Sequence, residues 1–141
     1  MSQPRLASSA IVERAGRFLL VRRGHPPAAD LYAFPGGRAE PGESPAETAL
    51  RELEEETGVV GHNPRLFETY ELLPEPGVAG SHYLLSVFRV DADGDSLVEA
   101  RSDAVDVGWF LPEEIEDLPV PPSVRECVVK LTAVSADDQE A

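Results

Sequence analysis

The segment from Ser44 to Gly58 restricts the fold of this chain more tightly than any other stretch. Ser44, Pro45 and Glu47 occupy the N-cap, first and third helical positions. This is a capping box, in which the serine hydroxyl meets the third amide and the glutamate reaches back to the cap. Gly58 supplies the left-handed stop. With Ala46 set at 0° and each residue advanced by the helical step, Ala49, Leu50, Leu53 and Thr57 fall within about 60° of it. That stripe has to be buried. On the same wheel Glu52, Glu55 and Glu56 share an arc of about 100° beside Arg51, while Glu47 and Glu54 lie on the other flank. Like charges three and four residues apart each cost a helix about 0.2–0.5 kcal/mol. These three also lie in the C-terminal half, where the macrodipole disfavours anions.

Seven acids fall between Glu40 and Glu56. A solvated acidic face, screened by water and salt, is one account of them. The other is an oxygen-only site for a hard cation, Mg²⁺ or Mn²⁺, which keeps several waters and bridges to substrate phosphates. The residue types alone leave both open. The whole chain carries 26 Asp and Glu against 12 Lys and Arg, a net −14, which opposes nucleic-acid polymers and anionic membranes. Residues 1–39 run the other way, with Arg5, Arg14, Arg17, Arg22, Arg23 and Arg38 against only Glu13 and Asp30.

At 141 residues, 42% hydrophobic and 27% charged, the chain reads as one folded domain, 1–141, with a polar tail that frays from about 135. Strands are expected at Ala10–Val12 and Arg17–Arg23 around an Ala15-Gly16 turn, with a short extended piece at Leu31–Phe34. Pro35-Gly36-Gly37 then opens a loop running to Ser44. Arg65–Leu73, His82–Val90 and Ala104–Phe110 read as further strands. Pro112–Ile115 reads as a turn of helix, and Val124–Val134 as a C-terminal helix burying Cys127, Val128 and Leu131. Strands interleaved with helices predict a mixed sheet covered by helices. Asp91, Asp93 and Asp95 lack the glycine and glutamate of a calcium loop and read as part of a hairpin turn. His25, His62 and His82 show no metal-ligand spacing. With Cys127 as the sole cysteine, no internal disulfide is expected. The amino-terminal residues lack an apolar signal region and no apolar run is long enough to span a bilayer, so a cytoplasmic location is expected.

From Gly37 to Val59 the chain reads GRAEPGESPAETALRELEEETGV. This resembles the signature of the Nudix hydrolase family, G-x5-E-x7-R-E-U-x-E-E-x-G-U, where U is a bulky aliphatic residue. All its fixed positions are present: Gly37, Glu43, Arg51, Glu52, Leu53, Glu55, Glu56, Gly58 and Val59. The preceding Phe34-Pro35-Gly36 and the Gly108-Trp109-Phe110-Leu111-Pro112 segment are similar to the family's pattern as well.

The resemblance implies an α/β fold, a Nudix-type α/β/α sandwich with a mixed β-sheet between helices. It implies metal-dependent hydrolysis of a nucleoside diphosphate linked to another moiety, with Glu52, Glu55, Glu56 and the Gly36 carbonyl as metal ligands and Mg²⁺ or Mn²⁺ as the ion. Arg51 and Glu43 would orient those ligands or a metal-bound water. Glu52 is the first choice of base, with Asp103 and then Glu99 as downstream alternatives. Arg22, Arg23 and Arg38 are candidates for phosphate, and Phe34 is an aromatic candidate for stacking on a base. Pro74 lies 16 positions after Gly58, a spacing similar to a marker of ADP-ribose-cleaving members, with the Pro74–Ser81 loop lining the site for the second moiety. The expected partner is therefore a small nucleotide, ADP-ribose or a related nucleotide sugar. Clean-up of nucleoside triphosphates is the runner-up and a non-catalytic nucleotide sensor a further alternative. A homodimer is kept open.

Overall fold

A computed structural model describes residues 4–24, 30–74, 82–94 and 97–140, and side chains as far as residue 133. In chain order the elements are β1 (Arg5–Ile11), β2 (Glu13–Arg14), β3 (Arg17–Arg23), β4 (Tyr32–Ala33), β5 (Gly36–Arg38), α1 (Pro45–Thr57), β6 (Gly61–Leu72), β7 (Tyr83–Ala92), β8 (Ala104–Phe110), α2 (Pro112–Glu116) and α3 (Pro122–Glu140). One sheet runs β5-β1-β7-β6, with β1 and β7 parallel and the other pairs antiparallel. The second is antiparallel and built on β3, which pairs with β2, β4 and β8. The turn between β2 and β3 has positive φ at both Ala15 (52°) and Gly16 (78°), as a two-residue hairpin of this twist requires.

Apolar residues alternate across the strands into two separate layers. Ala10 and Val12, Leu19, and Phe88 and Val90 meet Ala49, Leu53 and Val59 on the α1 side. Ile11, Phe18, Leu20 and Val87 face the other way onto Ile115 of α2 and Val124, Cys127, Val128 and Leu131 of α3. Helices thus cover both faces of the strand layer, the α/β/α arrangement expected. This also explains why β3 reads as an unbroken apolar run: both of its faces are buried.

The helix α1 forms as its caps dictate. Ser44 Oγ accepts the Glu47 N–H at 3.2 Å, Glu47 Oε1 accepts the Ser44 N–H at 2.9 Å, and Gly58 closes the helix at φ 80°. Several boundaries differ from the sequence expectation, among them the start of β6, which lies at Gly61 and not at Arg65. β1 begins at Arg5, because parallel pairing to β7 extends it by five residues that carry little apolar pattern. Gly36–Arg38, expected as loop, is a strand antiparallel to β1. The C-terminal helix runs from Pro122 and its backbone stays helical to Glu140. No described helix is long and apolar enough to cross a membrane.

Candidate active site

Burial organises the acidic wall of α1. Glu56 is 7% exposed, set into the helix flank that β5 covers, and its Oε2 accepts the Gly36 N–H at 3.0 Å. Gly36 is free to donate because of its register. Ala10 N–H to Pro35 C=O and Ala39 N–H to Leu6 C=O frame Gly36 opposite Ser9 as a non-hydrogen-bonded pair, turning its polar groups away from β1. One residue on, a Cβ at Gly37 would lie 2.7–2.8 Å from the Glu52 carboxylate. Gly36 thus lets β5 lie close on β1 while its N–H serves Glu56, and Gly37 leaves room for the Glu52 carboxylate.

Arg51 gathers the rest. Its Nε and Nη2 meet the two oxygens of Glu43 at 2.6 and 3.1 Å, while Nη1 reaches Glu52 at 2.8 Å and Glu55 at 3.1 Å. Nη2 also donates to the Arg38 carbonyl at 2.9 Å. Glu43 accepts in addition from the Thr48 hydroxyl and the Glu40 N–H. These bonds, led by the Arg51 fork, hold the Glu43 carboxyl down to about 2. Burial and then the charge of Glu52 push Glu56 up to about 8, against the opposing pull of the Gly36 N–H and Arg23. Burial also raises Glu52, with Arg51 opposing. The two carboxyls lie near enough for each to shift the proton affinity of the other.

The sequence matches the NUDIX domain profile over residues 3–131. The chain belongs to the Nudix hydrolase family. It is 32% identical over 127 residues to an ADP-ribose pyrophosphatase of Methanocaldococcus jannaschii, covering 90% of this chain and 72% of that protein. It is 31% identical to an NAD-capped RNA hydrolase of Chromobacterium violaceum, covering 98% of this chain but half (50%) of the relative. In structure it superposes on a MutT Nudix hydrolase from Burkholderia pseudomallei with TM-score 0.80 at 24% identity, over 90% of this chain and 97% of that one. Membership brings the reaction class with it, hydrolysis of a pyrophosphate linkage.

Within this Nudix fold the anticipated residues separate into those that converge and those that do not. Glu43, Arg51, Glu52, Glu55, Glu56 and the backbone of Gly36 form one connected network. Arg23, at the end of β3, and Asp103 line a small cavity with Glu56, Val21 and Ala104. Arg22 instead faces Asp30 at 3.4 Å, and the Arg38 side chain is exposed while its carbonyl serves Arg51. Glu99 is engaged by Arg101 at 2.5–2.6 Å. Phe34 corrects the expectation of a stacking platform: it is 4% exposed and packed in the α3-side core, so its ring has no open face for a base. Pro74 is described, but residues 75–81 of the loop assigned to the second moiety lie outside the described residues.

Sequence reasoning missed Arg101. Its guanidinium lies where a side chain on Gly58 would be, with Cζ 2.9 Å from that Cβ position, at the negative end of a helix whose last turn has no basic residue. A cation there offsets the acidic turn by about 0.3–1 kcal/mol. Nothing in the local pattern places it, since Arg101 lies 43 positions after Gly58 in the chain. Among the described residues no three His, Cys, Asp or Glu side chains converge to hold a metal ion. Glu52 and Glu56 meet each other and Glu55 is drawn to Arg51. As a donor set, three carboxylates and a carbonyl suit a hard cation and no soft one.

Proposed function

We propose that this Nudix protein hydrolyses the pyrophosphate linkage of a small nucleoside diphosphate joined to another moiety, with ADP-ribose or a related nucleotide sugar favoured. The observation that carries the reading is the Glu52–Glu56 carboxyl pair, sunk beside β5 and tied to the Gly36 N–H and to Arg51. Buried carboxyls with shifted proton affinity beside a cationic side chain are costly to maintain and suited to chemistry. Glu52, Glu55, Glu56 and the Gly36 carbonyl would hold Mg²⁺ or Mn²⁺, which would neutralise phosphate charge and acidify a bound water.

The chain's own groups supply the remainder. Glu52 accepts the proton of the attacking water, with Asp103 the alternative from the loop before β8. Glu99 is disfavoured by its ion pair to Arg101. Arg51 holds Glu52 and Glu55 in place, and Glu43 in turn fixes the plane of Arg51 through the two-point contact. Arg23, next to Glu56, meets the phosphate end of the substrate. Arg22 and Arg38 offer weaker help from the rim.

The substrate preference rests on the ADP-ribose pyrophosphatase relative and on the spacing of Pro74 from Gly58. ADP-ribose and an NAD cap share an adenosine diphosphate joined to a ribosyl group. The net charge of −14 argues for the small nucleotide over the RNA. A panel of ADP-ribose, NADH, Ap4A and the dNTPs with Mg²⁺ tests this. AMP release from ADP-ribose is expected, pyrophosphate release from a dNTP would favour nucleotide clean-up, and no turnover across the panel would favour a sensor. Glu55→Gln should abolish turnover with the fold intact; full activity in that variant would refute the ligand assignment.

A further inference from the structure

The segment 97–103 is tied into two parts of the site at once. Glu99 N–H donates to the Thr57 carbonyl at 3.0 Å and Arg101 N–H to the Glu56 carbonyl at 2.9 Å, filling two of the acceptors that a helix end leaves open. Two residues further on, the Asp103 carbonyl accepts the Gly24 N–H at 2.9 Å. Gly24 permits this approach, since a Cβ there would lie 3.0 Å from the Asp103 carbonyl oxygen and 2.7 Å from Val105. The segment therefore bridges the C-terminal end of α1, which carries Glu56, and the end of β3, which carries Arg23. Asp103 lines the cavity between them.

Arg101 is the side chain that fastens this bridge. It lies over Gly58, in space that only glycine leaves open, and pairs with Glu99 of the same segment. Ser102 follows at φ 55°, a left-handed conformation that a serine adopts only when its neighbours hold it there. The bend turns the chain toward β8 directly at Asp103.

We propose that Arg101 is a positioning residue for the hydrolytic site: docked on Gly58, it clamps the 97–103 segment to α1 and so holds Asp103 at the Glu56–Arg23 cavity. The inference rests on the reading of Glu56 and Asp103 as parts of that site, and it makes no direct contact between Arg101 and substrate.

Two measurements on the full chain test it. The first needs no turnover. In Arg101→Ala, amide hydrogen exchange at Gly24 should accelerate at least about tenfold together with that at residues 99 and 101, while α1 amides before Glu54 keep their protection. Unchanged protection at Gly24 would overturn the proposal, because Asp103 would then be held without Arg101. The second is a double-mutant cycle on the best substrate of the panel. Arg101→Ala should lower kcat about tenfold with KM within threefold, and Arg101→Ala combined with Asp103→Asn should be no slower than Asp103→Asn alone. Independent, multiplying losses, or an Asp103→Asn variant with wild-type kcat, would show that Arg101 does not act through Asp103. Failure of the hydrolase reading looks different: no substrate turns over, yet the exchange result still decides whether Arg101 holds the bridge.

Discussion

Replacing Gly37 by alanine separates the role of the β5 edge in folding from its role in chemistry. An added methyl at 37 would lie 2.7 Å from Glu52 Cδ and 2.8 Å from both its oxygens, where ordinary contact begins at 3.4 Å, so the carboxylate has to retreat by at least about 0.7 Å. The obstructing atoms are the end of a flexible side chain, and φ at Gly37 is not positive, so the backbone has no reason to move. Reducing the freedom of the unfolded chain stabilises by about 0.4–1 kcal/mol. Weakening the 2.8 Å Arg51–Glu52 bond costs about 1.5–3 kcal/mol, as for hydrogen bonds to charged groups. The net change in stability should thus be a loss of about 1–2 kcal/mol. Catalysis should suffer more, because a displacement approaching 1 Å costs on the order of 100-fold in rate. We expect kcat to drop about 10- to 100-fold in Mg²⁺-dependent hydrolysis while thermal melting shows a modestly lowered Tm. Gly36→Ala is the control: its methyl would strike the Ser8 carbonyl and the Ser9 backbone, with Ser9 Cα at 2.8 Å, and β5 must detach from β1. That variant should lose both Tm and activity. Wild-type kcat in Gly37→Ala, or a Tm loss equal to that of Gly36→Ala, would refute the reasoning.

Two other outcomes follow from the same geometry. Phe34→Ala should cost about 3–5 kcal/mol of stability, read by urea denaturation, because it empties a site in the α3-side core; a selective rise in KM at unchanged stability would restore Phe34 to the substrate site. In chelator-treated protein, the raised proton affinity of Glu56 means that the folded state binds more protons than the unfolded one between about pH 4.5 and 8. Its contribution is therefore fully present below that window and lost as pH rises through it. Glu56→Gln should flatten this part of the stability profile, and an unchanged slope would contradict the burial argument.

The helix, its caps and the acid arc were legible because each depends on residues within one or two turns of one another. The wheel also held an unused signal: Glu56 lies about 20° from Ala49 on it, at the edge of the apolar stripe, so partial burial was readable in principle. The strand at Gly36–Arg38 was not, since two glycines and an arginine carry no apolar alternation, and only β1 on one side and Glu56 on the other give them a reason to be extended. Phe34 misled because an aromatic residue before a glycine pair looks the same in sequence whether its ring faces a ligand or a core.

By itself the sequence determined the periodic and local properties of this protein: a capped helix with three carboxylates on one flank, a β-hairpin through Arg17–Arg23, and the residue spacing of a Nudix hydrolase. Tertiary structure decided which carboxylates leave water and which cations answer them. Glu56 is buried because β5 closes over it, and the end of α1 meets Arg101 from a segment beyond β7. Periodicity is a short-range property written along the chain. Desolvation and charge pairing depend on which distant segment arrives within a few ångströms.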